Sequence, residues 1–356
     1  MKILINKNKL DSIVTNANSF IDKRDASSIT SHILFEAKNG SLEIKATDFE
    51  IGLYSKINDV RIFEEGRATA NGKKILDILR ALKDEEITLE TMNNYLYIRQ
   101  KGSKYKLAMY NTDDYPEFPN LENKKKFKIN SAKFTRNLKK ISPVIDQNIQ
   151  NFALSGAFID IDKNHVNLVA TDTKRLSVYT MEIQSDESDS FILPKKAINE
   201  IQKIFFDEIE IYYDETFFIG KSADFEFFTK LINSKYVNYQ KVIPTDYENT
   251  ITLPRDKFLS GIRAISMVCE KMKLTLKENA ILFESINESD NSEAKTQIEY
   301  ETGVKEEISF NFTNKFIVDF LNVLEEDTFT MSYKNSSLSI VFKSSDFTTV
   351  VMPVII

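Results

Sequence analysis

The residues best placed to do chemistry are basic. In "SAKFTRNLKKI", Lys133, Arg136 and Lys140 recur at spacings of three and four. On a helix turning 100° per residue they fall within roughly 60° of one another, opposite Phe134, Leu138 and Ile141. Cations ranked along one helix face suit phosphate, whose charge can be met without reading any base. They suit water equally, because an amphipathic helix must turn something polar outward and lysine is common there. The second stretch with chemical promise is "VATDTKRLSVY". Here an alternating apolar strand breaks at Ala170-Thr171-Asp172 and resumes after Lys174-Arg175. The same triplet stands at Ala46-Thr47-Asp48, 171 − 47 = 124 residues earlier, which points to a duplicated building block sooner than to a catalytic centre.

Other chemistries find little to work with. His32 and His165 are the only histidines, too few for a histidine-based triad or metal site; one reads as a strand residue and the other as part of a turn. Cys269 continues the apolar side of a predicted helix and reads as a core thiol. No phosphate-binding G-x-x-x-x-G-K-[ST] or G-x-G-x-x-G is present. The acids at 112–114 and 288–293 lack helical or calcium-loop spacing and read as solvated loops. No catalytic constellation emerges, and neither a cofactor nor a metal is expected.

With 356 residues, the chain has room for two or three domains. Hydrophobic residues make up 42% and charged ones 28%, the balance of a soluble globular protein. No apolar run reaches the ~18–20 residues of a membrane span, and "MKILINKNKL" lacks a signal peptide's apolar stretch. One cysteine allows no intrachain disulfide, so a reducing cytoplasm is expected and no membrane partner. The net charge of −6 opposes nucleic-acid binding unless the bases gather on one surface.

The elements that must position these residues come in three copies. "ILINKNKLDSIVTNA", "FKINSAKFTRNLKKI" and "ITLPRDKFLSGIRAI" each run a short strand into a helix, with Lys9, Lys133 and Lys257 in register at 133 − 9 = 124 and 257 − 133 = 124. The apolar stripes are Leu10, Ile13, Val14, Ala17; Phe134, Leu138, Ile141; and Phe258, Ile262, Ile265. A second helix recurs in "NGKKILDILRALKDEE", "LPKKAINEIQKIFFDE" and "FTNKFIVDFLNVLEED", with Asp77, Asn199 and Asp319 in register. Lys73 and Arg80, Lys195 and Lys203, and Lys315 avoid its apolar face. A predicted hairpin comes after each, with Asn93-Asn94 and Asn335-Ser336 as turn residues. So long a period exceeds that of solenoid repeats and leaves each copy its own core. The expected domains are 1–122, 123–246 and 247–356.

This organisation resembles the bacterial replicative sliding clamp, the beta subunit of DNA polymerase III, along the whole chain. "ATDTKRLSVYTM" is similar to that family's A-T-D-x-x-R-L-A-V, and "FTKLINSKYVNYQKVIP" to its F-x-S-K-L-x-x-G-x-F-P-D-Y-x-x-V-x-P. "LPKKAINEI" and the closing "VVMPVII" match two further stretches. The resemblance implies an α+β DNA clamp fold: three tandem homologous domains, each two helices packed on antiparallel sheets, forming a ring as a head-to-tail homodimer. It implies a non-catalytic processivity subunit that encircles duplex DNA without sequence preference. The implied partners are the replicative polymerase's catalytic subunit, a clamp loader, and other polymerases and repair proteins carrying a short clamp-binding peptide.

Carried over position by position, the channel bases would be Lys23, Arg24, Lys73, Arg80, Lys133, Arg136, Lys140, Lys195, Lys196, Lys203 and Arg263. The peptide pocket would comprise Leu154, Thr171, Thr173, Lys174, Arg175, Leu176, Val237, Lys241, Val242, Phe316, Ser337, Met352, Pro353, Val354, Ile355 and Ile356. The subunit joint would set Tyr105 and Leu107 against Met267 and Val268, with an edge strand near Ala294–Glu299. Three departures bear on the pocket: Thr173-Lys174 replaces a small-residue/His pair, Val237 replaces a proline, and the terminus lacks an arginine. In the first repeat Glu50-Ile51 stands where Lys174-Arg175 would, so no second pocket is expected there. The rival readings are a peptide-binding scaffold of three α+β modules that ignores DNA, and an enzyme working through its carboxylates, such as a glycoside hydrolase.

Overall fold

The protein is described by a computed structural model covering all residues except 146–149, 184, 186–187, 206–207, 224, 287–291 and 355–356. The six α-helices among the described residues are α1 (Lys7–Ala17), α2 (Gly72–Ala81), α3 (Ser131–Ile141), α4 (Lys195–Ile204), α5 (Arg255–Ser266) and α6 (Asn314–Leu321). The first helix of each repeat starts at 7, 131 and 255, which reproduces the sequence interval of 131 − 7 = 124 and 255 − 131 = 124. Asn6 and Asn130 end the preceding strands and cap α1 and α3. Each side-chain oxygen accepts from a backbone N–H three residues on, that of Lys9 at 3.2 Å and that of Lys133 at 2.9 Å. Leu10, Val14 and Ala17, then Phe134, Leu138 and Ile141, then Phe258, Ile262 and Ile265 are buried, as the stripes require, while Ile13 is half-buried.

Two compact units result, Met1–Phe134 with Lys196–Leu231 and Thr135–Lys195 with Ile232–Ile356. The first holds a five-stranded sheet in the order 61–64, 2–6, 86–92, 95–100, 103–108. It also holds an eight-stranded sheet in which Ile51–Ile57 of the first repeat pairs antiparallel with Phe225–Lys230 of the second. Phe20, Phe205, Phe218 and Phe227 fill its core, with Phe227 edge-on to Phe20 and Phe205 at 5.9 Å. Gly220 makes room for this packing, since a β-carbon there would lie 2.2 Å from the Phe205 ring.

The second unit repeats the plan. In its eight-stranded sheet Arg175–Glu182 of the second repeat pairs antiparallel with Phe347–Val351 of the third. Its four-stranded sheet runs 295–299, 280–286, 271–277, 308–313. Phe258, Phe283, Phe310, Phe312, Phe329 and Phe342 form the core around α5 and α6.

The hairpin at Asn93-Asn94 has both residues at positive φ, 50° and 60°, the conformation a two-residue turn needs between twisted strands. Asn335 accepts from the backbone of Ser337 and Leu338 at 3.0 and 3.1 Å, closing the corresponding turn of the third repeat. Cys269 departs from its helical reading. Helix α5 ends at Ser266, and the thiol lies beyond it, half-buried and donating to the Ile286 carbonyl at 2.5 Å. His165 opens a strand instead of sitting in the turn before it.

His32 opens a strand of the first unit and is buried, its ring 4.6 Å from that of Tyr110. Burial, then the nearby Lys74 ammonium, lower its pKa from 6.5 to about 4. The unfolded chain therefore takes up this proton first as pH falls. Stability from this group is complete above pH 6.5, declines between 6.5 and about 4, and levels off below. The decline should approach about 3 kcal/mol, and the urea midpoint of His32→Phe should show a correspondingly flatter pH dependence over that window.

Candidate functional site

The Ala-Thr-Asp triplet is a turn-maker. The Thr171 hydroxyl donates to the Arg175 carbonyl at 2.7 Å and accepts from the Thr173 N–H at 3.2 Å. One Asp172 oxygen accepts from the N–H groups of Lys174 and Arg175 at 3.0 and 2.9 Å. In the first repeat Thr47 and Asp48 make the same four bonds, to Ile51, Phe49, Glu50 and Ile51, at 2.7 to 3.0 Å. Thr173 and Phe49, at the tips, share a φ of 72°. Short polar side chains that satisfy the backbone locally stop a strand and restart it at a fixed angle. The copied triplet thus does structural work, and the residues around it decide what the turn presents.

The turn leads into Ile51 in one repeat and into Arg175 in the other. Arg175 is only 5% exposed. Its Nε donates to Asp172 at 2.9 Å, Nη1 to Asp319 at 2.8 Å and Nη2 to the Pro143 carbonyl at 2.9 Å, and its guanidinium lies 4.5 Å from the centre of the Phe316 ring. Lys315 also donates to Asp319, at 2.6 Å. The Arg175 side chain braces the second repeat against the third. Four such contacts fit a planar guanidinium, which binds several acceptors at once and stacks on an aromatic face.

Around this brace lies an apolar floor. Leu154 and Leu176 pack in one buried group with Ala153, Val169, Val178, Ile192, Ile232, Tyr236, Tyr239, Val341 and Val350. Phe158 stacks on Tyr236 at 4.7 Å, and the Tyr239 hydroxyl donates to Asp160 at 2.6 Å. Burial first, then that carboxylate, push the Tyr239 phenol upward. Exposed apolar side chains lie within a few residues of these in the sequence: Val237, Val242, Leu338, Met352 at 51% and Phe152 at 66%. The Met352 N–H donates to the Lys174 carbonyl at 3.0 Å and the Val354 N–H to the Asn311 carbonyl at 2.8 Å, which ties the closing segment to the sheet. Lys174, Lys241 and Ser337 are exposed, while Phe316, Pro353 and Val354 are half-buried. Ile355 and Ile356 lie outside the described residues.

Sequence reasoning missed Phe152, Tyr236, Tyr239, Val341, Val350, Leu338, Asp172 and Asp319 as parts of these surroundings. Tyr236 was open to discovery, since it occupies the aromatic position of the "YVNY" stretch. Asp319 was seen only as a helix register mark, 144 residues from Arg175.

Of the expected phosphate-binding bases, Lys23, Arg24, Lys73, Arg80, Lys133, Arg136, Lys196, Lys203 and Arg263 are exposed. Several carry surface partners: Arg136 lies 3.5 Å from Glu325, Lys196 pairs with Asp48, Lys203 with Glu200 at 2.8 Å, and Arg263 donates to Asn322 at 2.8 Å. Such pairs hold weakly in water and exchange readily for phosphate. Lys140 and Lys195 are less exposed. Lys140 is nearly buried, 3.4 Å from Glu325 and 4.9 Å from the Tyr179 ring centre, and Lys195 donates to the Ile145 carbonyl.

At the expected joint, Ser103–Ala108 and Lys295–Glu299 are edge strands of their sheets. Tyr105 is half-buried, and Leu107 is packed under its own sheet. Met267, at 85%, and Val268 are exposed beyond α5.

Three repeated α+β modules with antiparallel sheets shared between neighbours define a DNA clamp fold. The sequence families described as DNA polymerase III beta subunit N-terminal, central and C-terminal domain match residues 1–119, 128–238 and 240–355 in turn. The beta sliding clamp of Helicobacter pylori strain J99 is 39% identical over 345 residues, 95% of this chain and 92% of that one. The crystal structure of the Helicobacter pylori beta clamp bound to a DNA ligase peptide matches over 100% of both chains with a TM-score of 0.94 at 36% identity. The DNA polymerase III subunit beta from Pseudomonas aeruginosa, 20% identical, shares the fold with a TM-score of 0.94. The chain belongs to the DNA polymerase III beta-subunit family, the beta sliding clamps.

Replacing Arg175 by Met leaves Asp172 and Asp319 without their shared counter-charge. Chemical denaturation should register a loss of about 3 kcal/mol, against under about 0.5 kcal/mol for the neighbouring Lys174→Met at the exposed tip.

Proposed function

We propose that two copies of this protein close head to tail around duplex DNA and hold a replicative polymerase to its template, without catalysing a reaction themselves. The observation that carries this reading is the run of exposed bases on successive repeats of one helix pair, in a chain whose net charge is −6. Bases turned toward a channel and acids toward solvent reconcile an acidic protein with a polyanionic ligand. Contacts confined to phosphate hold loosely and in any register, so the ring can slide. We place the domain boundaries at 122/123 and 246/247, and the working site in the cytoplasm, with the DNA. No helix among the described residues is long and apolar enough to cross a membrane.

The apolar floor of Leu154 and Leu176, with its rim of Val237, Val242 and Met352, is the docking pocket in this reading. A short extended peptide from a polymerase, clamp loader or repair protein would bury its apolar anchors there. The ligase peptide bound by the Helicobacter pylori clamp supports a client of this kind. The bases are assigned to the DNA face with Lys140 and Lys195 as braces, and Met267 and Val268 to a joint with the edge strand 103–108 of the other copy.

Loaded onto nicked circular DNA, the protein should remain bound through gel filtration and be lost once the circle is linearised. Equal retention on both forms favours a scaffold that does not encircle. Met267→Asp would bury an unpaired carboxylate in the joint. It should sediment as a monomer and lose circular-DNA retention; a variant that still sediments as a dimer removes Met267 from the joint.

A further inference from the structure

We propose that the outward face of the hairpin 95–108 in the first repeat is a platform for single-stranded nucleic acid, with Tyr95 and Tyr97 stacking bases and Lys104 and Lys106 meeting phosphates. The inference goes beyond the peptide pocket and does not need a closed ring. From residue 95 to 108 the chain reads "YLYIRQKGSKYKLA", with three tyrosines, four bases and no acid, in a protein whose net charge is −6. Strand alternation sorts these side chains. Leu96 and Ile98 are buried beneath the sheet, while Tyr95, Tyr97 and Arg99 stand on its other side. Tyr97 lies across from Lys106 and Arg99 from Lys104, so the two strands bring aromatics and bases together on one face.

The Lys106 ammonium lies 3.7 Å from the centre of the Tyr95 ring, and Lys104 and Arg99 lie 5.0 and 5.3 Å from that of Tyr97. Lys104 and Lys106 are exposed, and among the described residues neither ammonium has an ion-pair partner. Glu90, across from Tyr97 on the neighbouring strand, is held by Arg99 and by Lys2, the latter at 3.1 Å, and Glu85 by Lys101 at 2.7 Å. The face therefore offers aromatic rings and unneutralised cations side by side. A single strand uses both, because its unpaired bases can stack on rings while its phosphates meet ammonium groups. An incoming base takes the ammonium's place over a ring, an exchange that favours binding since base stacking is stronger than an exposed cation–π contact. The two tyrosines stand two residues apart on one strand, about 7 Å, so two bases of one extended strand can be served together. A duplex offers the phosphates but keeps its bases stacked on each other, and an acidic peptide offers charge without flat partners for the rings. The joint proposed above would use the edge's main chain with Tyr105 and Leu107, which lie on the opposite side of the strand from Lys104 and Lys106, and would leave the platform open.

The test titrates the intact protein, by fluorescence anisotropy at low salt, against labelled probes about 12 nucleotides long: oligo-dT, the same backbone without bases, and a duplex. A labelled oligoglutamate is the fourth probe. Oligo-dT should bind more tightly than the abasic strand. Replacing Tyr95 and Tyr97 together by Thr, which keeps the strand's β preference, should weaken oligo-dT binding about tenfold and leave the abasic strand and the duplex unchanged. Replacing Lys104 and Lys106 together by Gln should weaken both single strands and lower the salt slope for oligo-dT by about 1. Equal binding of oligo-dT and the abasic strand, or oligo-dT binding that survives loss of the tyrosine pair, would overturn the proposal. So would a fall of the same size on every probe, since stacking could not be its cause. Oligoglutamate binding more tightly than oligo-dT would also overturn it and give the face to an acidic peptide.

Discussion

A strand at the edge of a sheet carries backbone donors and acceptors that need partners, and here each repeat finds them in the next. Ile51–Ile57 pairs with Phe225–Lys230, and Arg175–Glu182 pairs with Phe347–Val351. These ladders explain why the compact units do not coincide with the repeats: hydrogen bonding runs across the sequence boundaries and splits the middle copy between two units. They also fix where the candidate docking surface lies. The strand leaving the Thr171–Arg175 turn and the strand ending at Val351 are neighbours, so Leu176 and Val350 contribute to one apolar floor.

Once the second and third repeats share a sheet, their charges must be reconciled at close quarters. Arg175 satisfies an aspartate from each repeat and a main-chain carbonyl, and covers the Phe316 ring. Burying that cation alone would be costly; surrounded in this way it is neutralised and oriented. Lys140 does a similar service beside Glu325 and Tyr179. Bases in this protein thus divide into two populations. One set is consumed in holding modules together, and the other stands in solvent on the helices, available to a polyanion.

The sequence made the repeats, the helices and their buried stripes legible, because each rests on local periodicity: Phe134, Leu138 and Ile141 announce a buried face whatever lies against it. The two-residue turn at Asn93-Asn94 was legible for the same reason, being set by the φ preferences of two adjacent residues. What stayed hidden depends on partners distant in the chain. Nothing within "ATDTKRL" says that Arg175 meets Asp319, and nothing within "FTRNLKK" says that Lys140 is covered while Lys133 is open. Cys269 was misread because apolar periodicity runs past Ser266, where the helix itself stops. The candidate site was readable as a set of positions through family resemblance, yet resemblance could not separate the exposed residues from those buried behind them.

The Ala-Thr-Asp turn makes all its bonds through threonine, aspartate and main-chain atoms, and none through the side chains at its tip. Thr173-Lys174 and Phe49-Glu50 occupy the same scaffold with unrelated character. Substitution at those two places therefore leaves folding almost untouched while altering what the loop displays.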